Sequence, residues 1–248
     1  MPKPVPKPPA GDRPLKTLER VLSKAGLGSR TEARRWVGEG RVNVNGRRAG
    51  DPDMWVDLER DRVEFDGKPV GTAQRLYLLL HKPAGYLTTY DDPQGRPTIY
   101  DLLPAGTPYV FPVGRLDLDT SGLLIVTNDA QFAERVTNPE FHVPKTYRVE
   151  TSRPFGDDEL EQLRRGVPLK DGPTRPAIVQ RTGASAFEIT ITEGRNRQVR
   201  RMVESLDAMV VALVRIAIGS VGLGALESGA TRALDAEEVG SLTAHTRA

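Results

Sequence analysis

The chain has 248 residues, 38% of them hydrophobic, and it contains no cysteine. This length supports a substantial core and favours a division into a small and a larger domain. Without cysteine there are no disulfide bonds and no thiolate metal sites, and the three histidines, His81, His142 and His245, lack the spacing of metal ligands. A metal-dependent hydrolase is therefore disfavoured.

Charge is unevenly distributed along the chain, although the net charge is only +2. Residues 1–75 carry 16 Lys and Arg against 11 Asp and Glu, whereas residues 76–248 carry 19 against 22. A basic front part joined to a near-neutral body is typical of a nucleic-acid anchor attached to a catalytic domain, although a solvated charged surface gives the same counts.

The sequence contains no signal for export or membrane insertion. Its first residues are rich in Pro and Lys and lack the apolar core of a signal peptide. The apolar stretch at 209–218 is too short to cross a bilayer and is interrupted by Arg215, so it suits a buried strand. We expect a cytoplasmic protein without a membrane partner.

The front of the chain predicts a tail followed by two helices and a hairpin. Residues 1–13 have nothing to bury and predict a flexible tail. Apolar residues recur at helical spacing over 17–26, and the Ser-x-x-Glu capping box at 29–32 begins a second helix. Residues 41–48 alternate and contain an Asn-Gly pair, which is the signal of a tight β-hairpin.

The rest of the chain predicts strands and helices in alternation. A continuous apolar run or an alternating pattern predicts strands at 76–80, 123–127, 144–149, 187–191 and 209–218. A short helical pattern follows Asp129 and stops before Pro139. A second helix, with an apolar stripe at Val199, Met202 and Val203, follows the turn at 193–198.

The segment at 114–126 is the most informative part of the sequence. It reads Gly-Arg-Leu-Asp-Leu-Asp-Thr-Ser-Gly-Leu-Leu-Ile-Val and places the carboxylate of Asp117 beside the cation of Arg115, ahead of an apolar strand. Glycine and small hydroxyl residues let a backbone approach a ligand, and the strand anchors the loop. Most Asp residues in such loops are turn formers or helix caps, an interpretation that fits Asp119 and Asp129.

The long string at 114–124 resembles the signature of the RNA pseudouridine synthases, in which the Asp of the motif is catalytic. The His-Lys-Pro-x-Gly piece at 81–85 and the Gly-Arg-Pro-Thr piece at 95–98 resemble the same family, and we interpret both as supports of the site. Residues 15–70 resemble the S4 RNA-binding domain through the pieces Ser-Arg-x-x-Ala-x-x-x-Val and Gly-x-Val-x-Val-Asn-Gly.

The resemblance implies an α+β fold. Its N-terminal part is a small S4 RNA-binding domain at 14–72, followed at 73–240 by a pseudouridine synthase catalytic domain with a mostly antiparallel mixed sheet flanked by helices. It further implies isomerisation of a uridine to pseudouridine, which needs no cofactor and no metal. We expect a monomer whose partner is ribosomal RNA or an assembly intermediate, with 23S RNA favoured over 16S RNA.

The resemblance also implies which residues carry the chemistry. Asp117 is the catalytic carboxylate, acting as a nucleophile on C1′ or as a base on the C2′ proton, two roles that the sequence does not separate. Tyr147 lies in the pocket and stacks on the base, and Arg195 forms an ion pair with Asp117. The candidate RNA contacts are Arg30, Arg34, Arg35, Arg41, Arg47, Arg115, Arg197 and Arg200.

Two other functions fit the same residues. In a non-catalytic RNA-binding or ribosome-assembly factor, the larger domain is a docking scaffold and Asp117 is a turn residue. In a base-excising hydrolase, the carboxylate cleaves the same glycosidic bond but free uracil leaves. Substitution of Asp117 and the fate of the base distinguish the three.

Overall fold

The computed structural model describes residues 15–71 and 73–244, and the chain divides into two compact units. The first unit runs to Arg75 and also includes the later segment Gly106–Val110, whose Tyr109 N–H donates to the carbonyl of Gly26 at 2.9 Å. The second comprises Leu76–Ala105 and the chain from Phe111 onward. The predicted tail at 1–13 lies outside the described residues.

The first unit packs two helices against short strands. Its elements are β1 (Lys16–Thr17), α1 (Leu18–Lys24), α2 (Arg30–Glu39), β2 (Val42–Val44), β3 (Arg47–Arg48), β4 (Trp55–Val56), β5 (Val63–Phe65) and β6 (Lys68–Pro69). The strands form an antiparallel sheet in the order β3-β2-β5-β6 and a separate β1-β4 pair. Leu18 and Leu22 of α1 and Trp36 of α2 lie in its core.

Local sequence signals account for this small fold. Ser29 and Glu32 form both hydrogen bonds of the capping box that begins α2. Asn45 and Gly46 have φ angles of 54° and 74°, so the turn between β2 and β3 has the left-handed pair that a tight hairpin requires. The predicted helices and hairpin are confirmed.

The second unit is built on one large sheet. The strands of this unit are β7 (Tyr77–Lys82), β8 (Phe111–Pro112), β9 (Ser121–Thr127), β10 (Lys145–Thr151), β11 (Pro168–Leu169), β12 (Gly172–Pro173), β13 (Ile178–Gly183), β14 (Ala186–Ile191), β15 (Val210–Ile218), β16 (Val221–Gly222) and β17 (Thr231–Ala233). Of these, β11 and β12 form a separate antiparallel pair outside the large sheet. Its α-helices are α3 (Ala130–Thr137), α4 (Asp157–Arg165), α5 (Gln198–Glu204) and α6 (Ala236–Thr243), and 3-10 turns occur at Ile99–Leu102 and Pro139–Phe141.

The sheet order is β13-β14-β10-β15-β9-β7-β17, with β16 beside β15 and β8 beside β9. Every pair is antiparallel except β9 with β15, so the predicted mostly antiparallel mixed sheet is confirmed. This parallel pair places the loop before β9 next to the middle of β15, and β10 lies on the far side of β15.

Two hydrophobic clusters hold helices against this sheet. One packs α3 and α6 on β7 and β9, and the other packs α4 and α5 on β10, β14 and β15. Asp129 accepts hydrogen bonds from the N–H groups of Gln131 and Phe132, as predicted for the cap of α3. Within the part of the chain described by the structure, no helix has the length and apolar character of a membrane span.

Candidate active site

A cavity of about 380 Å³ opens in the second unit between the loop that precedes β9, the start of β10 and the turn before α5. Its lining includes all three predicted catalytic residues, Asp117, Tyr147 and Arg195. Arg115 and Arg197 also line it, and the Arg115 side chain is exposed. The fold thus brings together side chains that lie up to about eighty residues apart in sequence.

Lys82 holds the loop that carries Asp117. Its side chain is fully buried, and its Nζ donates to the carbonyl oxygens of Asp117 at 3.1 Å, Thr120 at 2.8 Å and Pro83 at 3.0 Å. All three N–H donors of the ammonium are therefore used. Burial lowers the pKa of Lys82 to about 8, against the opposing attraction of the Asp119 and Asp117 carboxylates.

Every carbonyl of the loop from Leu116 to Thr120 accepts a hydrogen bond. Besides the bonds from Lys82, the carbonyl of Leu116 accepts from the Thr88 hydroxyl at 2.8 Å, that of Leu118 from the Gly85 N–H at 2.7 Å, and that of Asp119 from an Arg200 Nη at 3.0 Å. Side chains and backbone from outside the loop supply these donors, so the loop geometry is fixed independently of any ligand.

Gly122 lets β9 begin in direct contact with β15. Its φ angle is +109°, and it pairs with Arg215 in the parallel register. A Cβ at this position would overlap the backbone of Arg215. The glycine of the motif therefore serves strand contact immediately behind the loop.

Among the described residues, Arg197 is the cation nearest to the Asp117 carboxylate. Its Nη1 lies 3.9 Å from Oδ2 of Asp117, and its two terminal nitrogens donate to the Asp119 carboxylate at 3.3 Å each. Arg197 has a φ angle of +47°, which turns the chain sharply just before α5. The Asp119 contact raises the pKa of Arg197, so the guanidinium stays charged.

The structure corrects the role predicted for Arg195. Its guanidinium donates to the carbonyls of Gly172 at 2.8 Å and Pro173 at 2.6 Å and to Glu193 at 3.2 Å. Arg195 and Asp117, both of which the structure describes, form no ion pair with each other. The left-handed turn at Arg197 directs that side chain, rather than Arg195, toward the loop.

The structure also corrects the role predicted for Arg200. This side chain is only 7% exposed, which is at odds with a contact to the RNA backbone. Its terminal nitrogens donate to the carbonyls of Asp119 and Val210, and one lies 3.2 Å from the Asp119 carboxylate. Arg200 fastens the loop to α5 and β15.

Tyr147, Lys145 and Arg215 line the cavity from adjacent strands of the sheet. Tyr147 on β10 lies opposite Arg215 on β15. Arg215 is 3% exposed and donates from Nε to the carbonyl of Leu123 at 2.7 Å, while one of its Nη atoms has no hydrogen-bond partner among the described residues. The prediction from sequence included neither Lys145 nor Arg215, although Arg215 interrupts an otherwise apolar run.

The predicted RNA-binding arginines of the first unit fall into two groups. Arg30 and Arg34 both donate to Glu19, a carboxylate that is 1% exposed. Arg41 is paired with Asp66 at 2.6 Å. Arg35 and Arg47 are exposed and held loosely. Arg35 lies 3.6 Å from the exposed Glu39, and Arg47 forms no ion pair with residues 15–71 or 73–244.

Comparisons with known proteins agree with these observations. Residues 76–205 match the family model described as RNA pseudouridylate synthase, and residues 17–63 match that of the S4 domain. An uncharacterized RNA pseudouridine synthase of Aquifex aeolicus (strain VF5) is 40% identical over 230 residues, which cover 91% of this chain and 92% of that protein. Ribosomal large subunit pseudouridine synthase B of Bacillus subtilis (strain 168) is 35% identical over 236 residues, covering 93% and 96%.

A solved structure described as a pseudouridylate synthase has the same fold. It superposes with a TM-score of 0.68 at 31% identity and covers 91% of this chain and 99% of its own. The predicted fold class is confirmed by this match and by the S4 match.

Proposed function

The chain belongs to the RNA pseudouridylate synthase family, and we propose that it converts a uridine of large-subunit ribosomal RNA to pseudouridine with Asp117 as the catalytic carboxylate. The reaction is an isomerisation. The bond between N1 and C1′ of the uridine breaks, the base turns, and C5 bonds to C1′ while the C5 proton is lost and N1 gains one.

The catalytic role of Asp117 is supported above all by the fixed geometry of its loop, residues 116–120. Its backbone is bonded at every carbonyl from 116 to 120, and its carboxylate lines the cavity at one-third exposure. A carboxylate that attacks C1′ or removes the C2′ proton must stay within a fraction of an ångström of its productive position. The contacts of Lys82 and Arg200 supply that restraint.

Positive charge around the loop serves a second need. A carboxylate repels the phosphates that flank a target nucleotide, and the nearby Arg197 guanidinium offsets this repulsion. The exposed Arg115 is placed to contact a phosphate or to occupy the space left by the extracted nucleotide, whose unstacking costs a few kcal/mol. Tyr147 offers a ring that stacks on the uracil and a phenol for the C5 proton.

The ribosomal substrate is inferred from the relatives and from the first unit. The Bacillus subtilis protein named for the large ribosomal subunit aligns over nearly the whole chain, including the S4-like unit. We assign the RNA anchor to the arginines of this unit, among which Arg35 and Arg47 are the most available. The surface and the relatives together support ribosomal RNA as the substrate.

The test compares Asp117→Asn with a control variant, Asp157→Asn, which replaces an exposed carboxylate on α4. Both variants act on ribosomal RNA from cells that lack the protein. Asp117→Asn is expected to abolish pseudouridine formation and leave RNA affinity within about threefold, because the amide is isosteric but neither nucleophile nor base. Mapping of pseudouridine in the treated RNA identifies the subunit and the uridine. Unchanged turnover in Asp117→Asn, or release of free uracil, contradicts the proposal.

A further inference from the structure

Two cations, Arg215 and Lys145, lie in the wall of the cavity without a counterion among the described residues. Arg215 is 3% exposed, and neither Arg215 nor Lys145 forms an ion pair with any residue that the structure describes. Arg215 donates from Nε to the carbonyl of Leu123, and one of its terminal nitrogens has no hydrogen-bond partner in the part of the chain that the structure describes. Within residues 15–71 and 73–244, the Nζ of Lys145 donates only to the carbonyl of Val143, at 3.0 Å.

This arrangement is unfavourable unless an electron-rich group enters the cavity. A buried charge without a counterion is costly, and a buried N–H donor without an acceptor costs about 1–3 kcal/mol. The two cations also act on each other: burial and then the Arg215 charge lower the pKa of Lys145 to about 8. Costs of this kind persist at sites where a ligand compensates them.

We propose that Arg215, together with Lys145, binds a carbonyl oxygen of the target uracil and stabilises the negative charge of the detached base. This inference rests on the proposed function. When the bond between N1 and C1′ breaks, its electron pair stays with the base whether Asp117 attacks C1′ or removes the C2′ proton. The resulting uracil anion spreads its charge over N1 and the carbonyl oxygens, so a donor there binds more tightly as the bond breaks.

The position of Arg215 selects the base over the phosphate as its ligand. Arg215 is nearly inaccessible to solvent, and its neighbour across the strand pair is the aromatic ring of Tyr147. RNA continues on both sides of a target nucleotide, so its phosphates must stay at the mouth of the cavity, where the exposed Arg115 lies. The base is the part of the nucleotide that reaches the sheet.

The experiment measures single-turnover pseudouridine formation and RNA affinity separately. Arg215→Met and Arg215→Gln are expected to slow turnover by about a hundredfold, Lys145→Met by about tenfold, and each to leave RNA affinity within about threefold. Arg148→Gln is the matched control, because Arg148 lies on the same strand as Tyr147 but is 56% exposed and faces Glu188. Arg148→Gln removes one positive charge from a residue that does not line the cavity, and this variant is expected to turn over at the normal rate.

A second arm uses the unaltered protein with synthetic RNA that contains 2-thiouridine or 4-thiouridine at the mapped position. Sulfur is a weaker acceptor than oxygen, so the substitution at the contacted carbonyl is expected to slow the wild type by about tenfold. The same substitution should not slow Arg215→Met further, because the contact is already lost. Additive effects in both thio substrates contradict a contact between Arg215 and the base.

Failure of this inference differs from failure of the proposed function. If Asp117→Asn is as active as the wild type, the proposed function fails. If Asp117→Asn is inactive while a folded Arg215→Met turns over within about threefold of the wild type, only the role of Arg215 is overturned. Should neither Arg215 variant fold, normal rates for Lys145→Met and for both thio substrates overturn the inference, and slowed rates for them support it.

Discussion

The ammonium of Lys82 lies 3.1 Å from the carbonyl oxygen of Asp117, so a fully buried cation is bonded to the backbone of the residue whose carboxylate faces the cavity. The same nitrogen is 2.8 Å from the carbonyl of Thr120. One side chain therefore closes the turn from both ends. Lys82 acts on the geometry of Asp117 and does not line the cavity itself.

Replacement of Lys82 by Met is expected to reduce turnover much more than stability. The loop loses two hydrogen bonds, and a displacement of the carboxylate by about 1 Å costs about a hundredfold in rate. The unpaired carbonyls destabilise the fold, but removal of a buried charge offsets part of that loss. Single-turnover rates and thermal unfolding of the variant measure the two effects.

Lys68→Met is the matched control for this substitution, because Lys68 is exposed on β6 of the first unit. It is expected to change neither rate nor stability. A Lys82→Met protein that folds and retains the full single-turnover rate would show that the loop keeps its position without the lysine.

Turnover is expected to fall as the pH rises through about 8. Burial lowers the pKa of both Lys82 and Lys145 from 10.5 to about 8, and repulsion from Arg215 contributes to each. Deprotonation removes a donor from the Asp117 loop and a charge from the cavity. Single-turnover rates between about pH 6 and about pH 9 should show this decline, and Lys145→Met should make it less steep.

The same shifts act on stability in the opposite direction. Because the folded pKa of each lysine lies below its ordinary value of 10.5, the unfolded chain holds more protons between about pH 8 and pH 10.5. Their contribution to the free energy of unfolding therefore rises over this interval. A decline in rate without a decline in thermal stability identifies titration of the lysines, whereas a rate that stays constant to about pH 9 contradicts their role.

Much of the architecture could be predicted because its signals are contiguous in sequence. The capping box of α2, the Asn45-Gly46 turn and the motif around Asp117 each specify their geometry within a few residues. Alternation or apolar runs predict five strands of the large sheet, namely β7, β9, β10, β14 and β15, but not β8, β13, β16 or β17. The return of Gly106–Val110 to the first unit has no such local signal, because it depends on tertiary contacts.

The electrostatic partners could not be predicted from sequence with the same success. Arg195 and Arg197 are two residues apart, and the left-handed backbone at Arg197, unusual for a residue with a Cβ, decides which of them faces Asp117. Arg200 and Arg215 look like surface or interrupting charges in sequence. Their burial follows from the packing of α5 and from the parallel contact of β9 with β15.

RNA binding by the first unit is expected to depend on its loosely held arginines. Replacing Arg35 and Arg47 together by Gln should weaken binding and lower the slope of log K against log salt by about 1.5, because two phosphate contacts are lost. Thermal stability should not change, since the 3.6 Å pair of Arg35 with Glu39 is exposed. Titrations of ribosomal RNA at several salt concentrations measure both quantities.

Arg34→Gln provides the contrast in the same unit. Arg34 donates to the buried Glu19, so its loss should lower the free energy of unfolding by roughly 1 kcal/mol as well as weaken binding. If the Arg35 and Arg47 double variant keeps both the affinity and the salt slope of the parent, this surface does not bind the RNA.

Replacing Arg197 by Gln is expected to affect mainly the turnover rate, whereas replacing Arg195 by Gln is expected to affect mainly stability. Arg197→Gln removes the cation 3.9 Å from the Asp117 carboxylate and should slow single turnover by about tenfold at saturating protein, with little change in unfolding. Arg195→Gln breaks bonds to Gly172, Pro173 and Glu193 and should lower the free energy of unfolding by about 1–2 kcal/mol, with a smaller effect on rate. Single-turnover rates and unfolding curves of both variants show which arginine is the partner of Asp117. A larger rate loss in a stably folded Arg195→Gln than in Arg197→Gln would identify Arg195 as that partner.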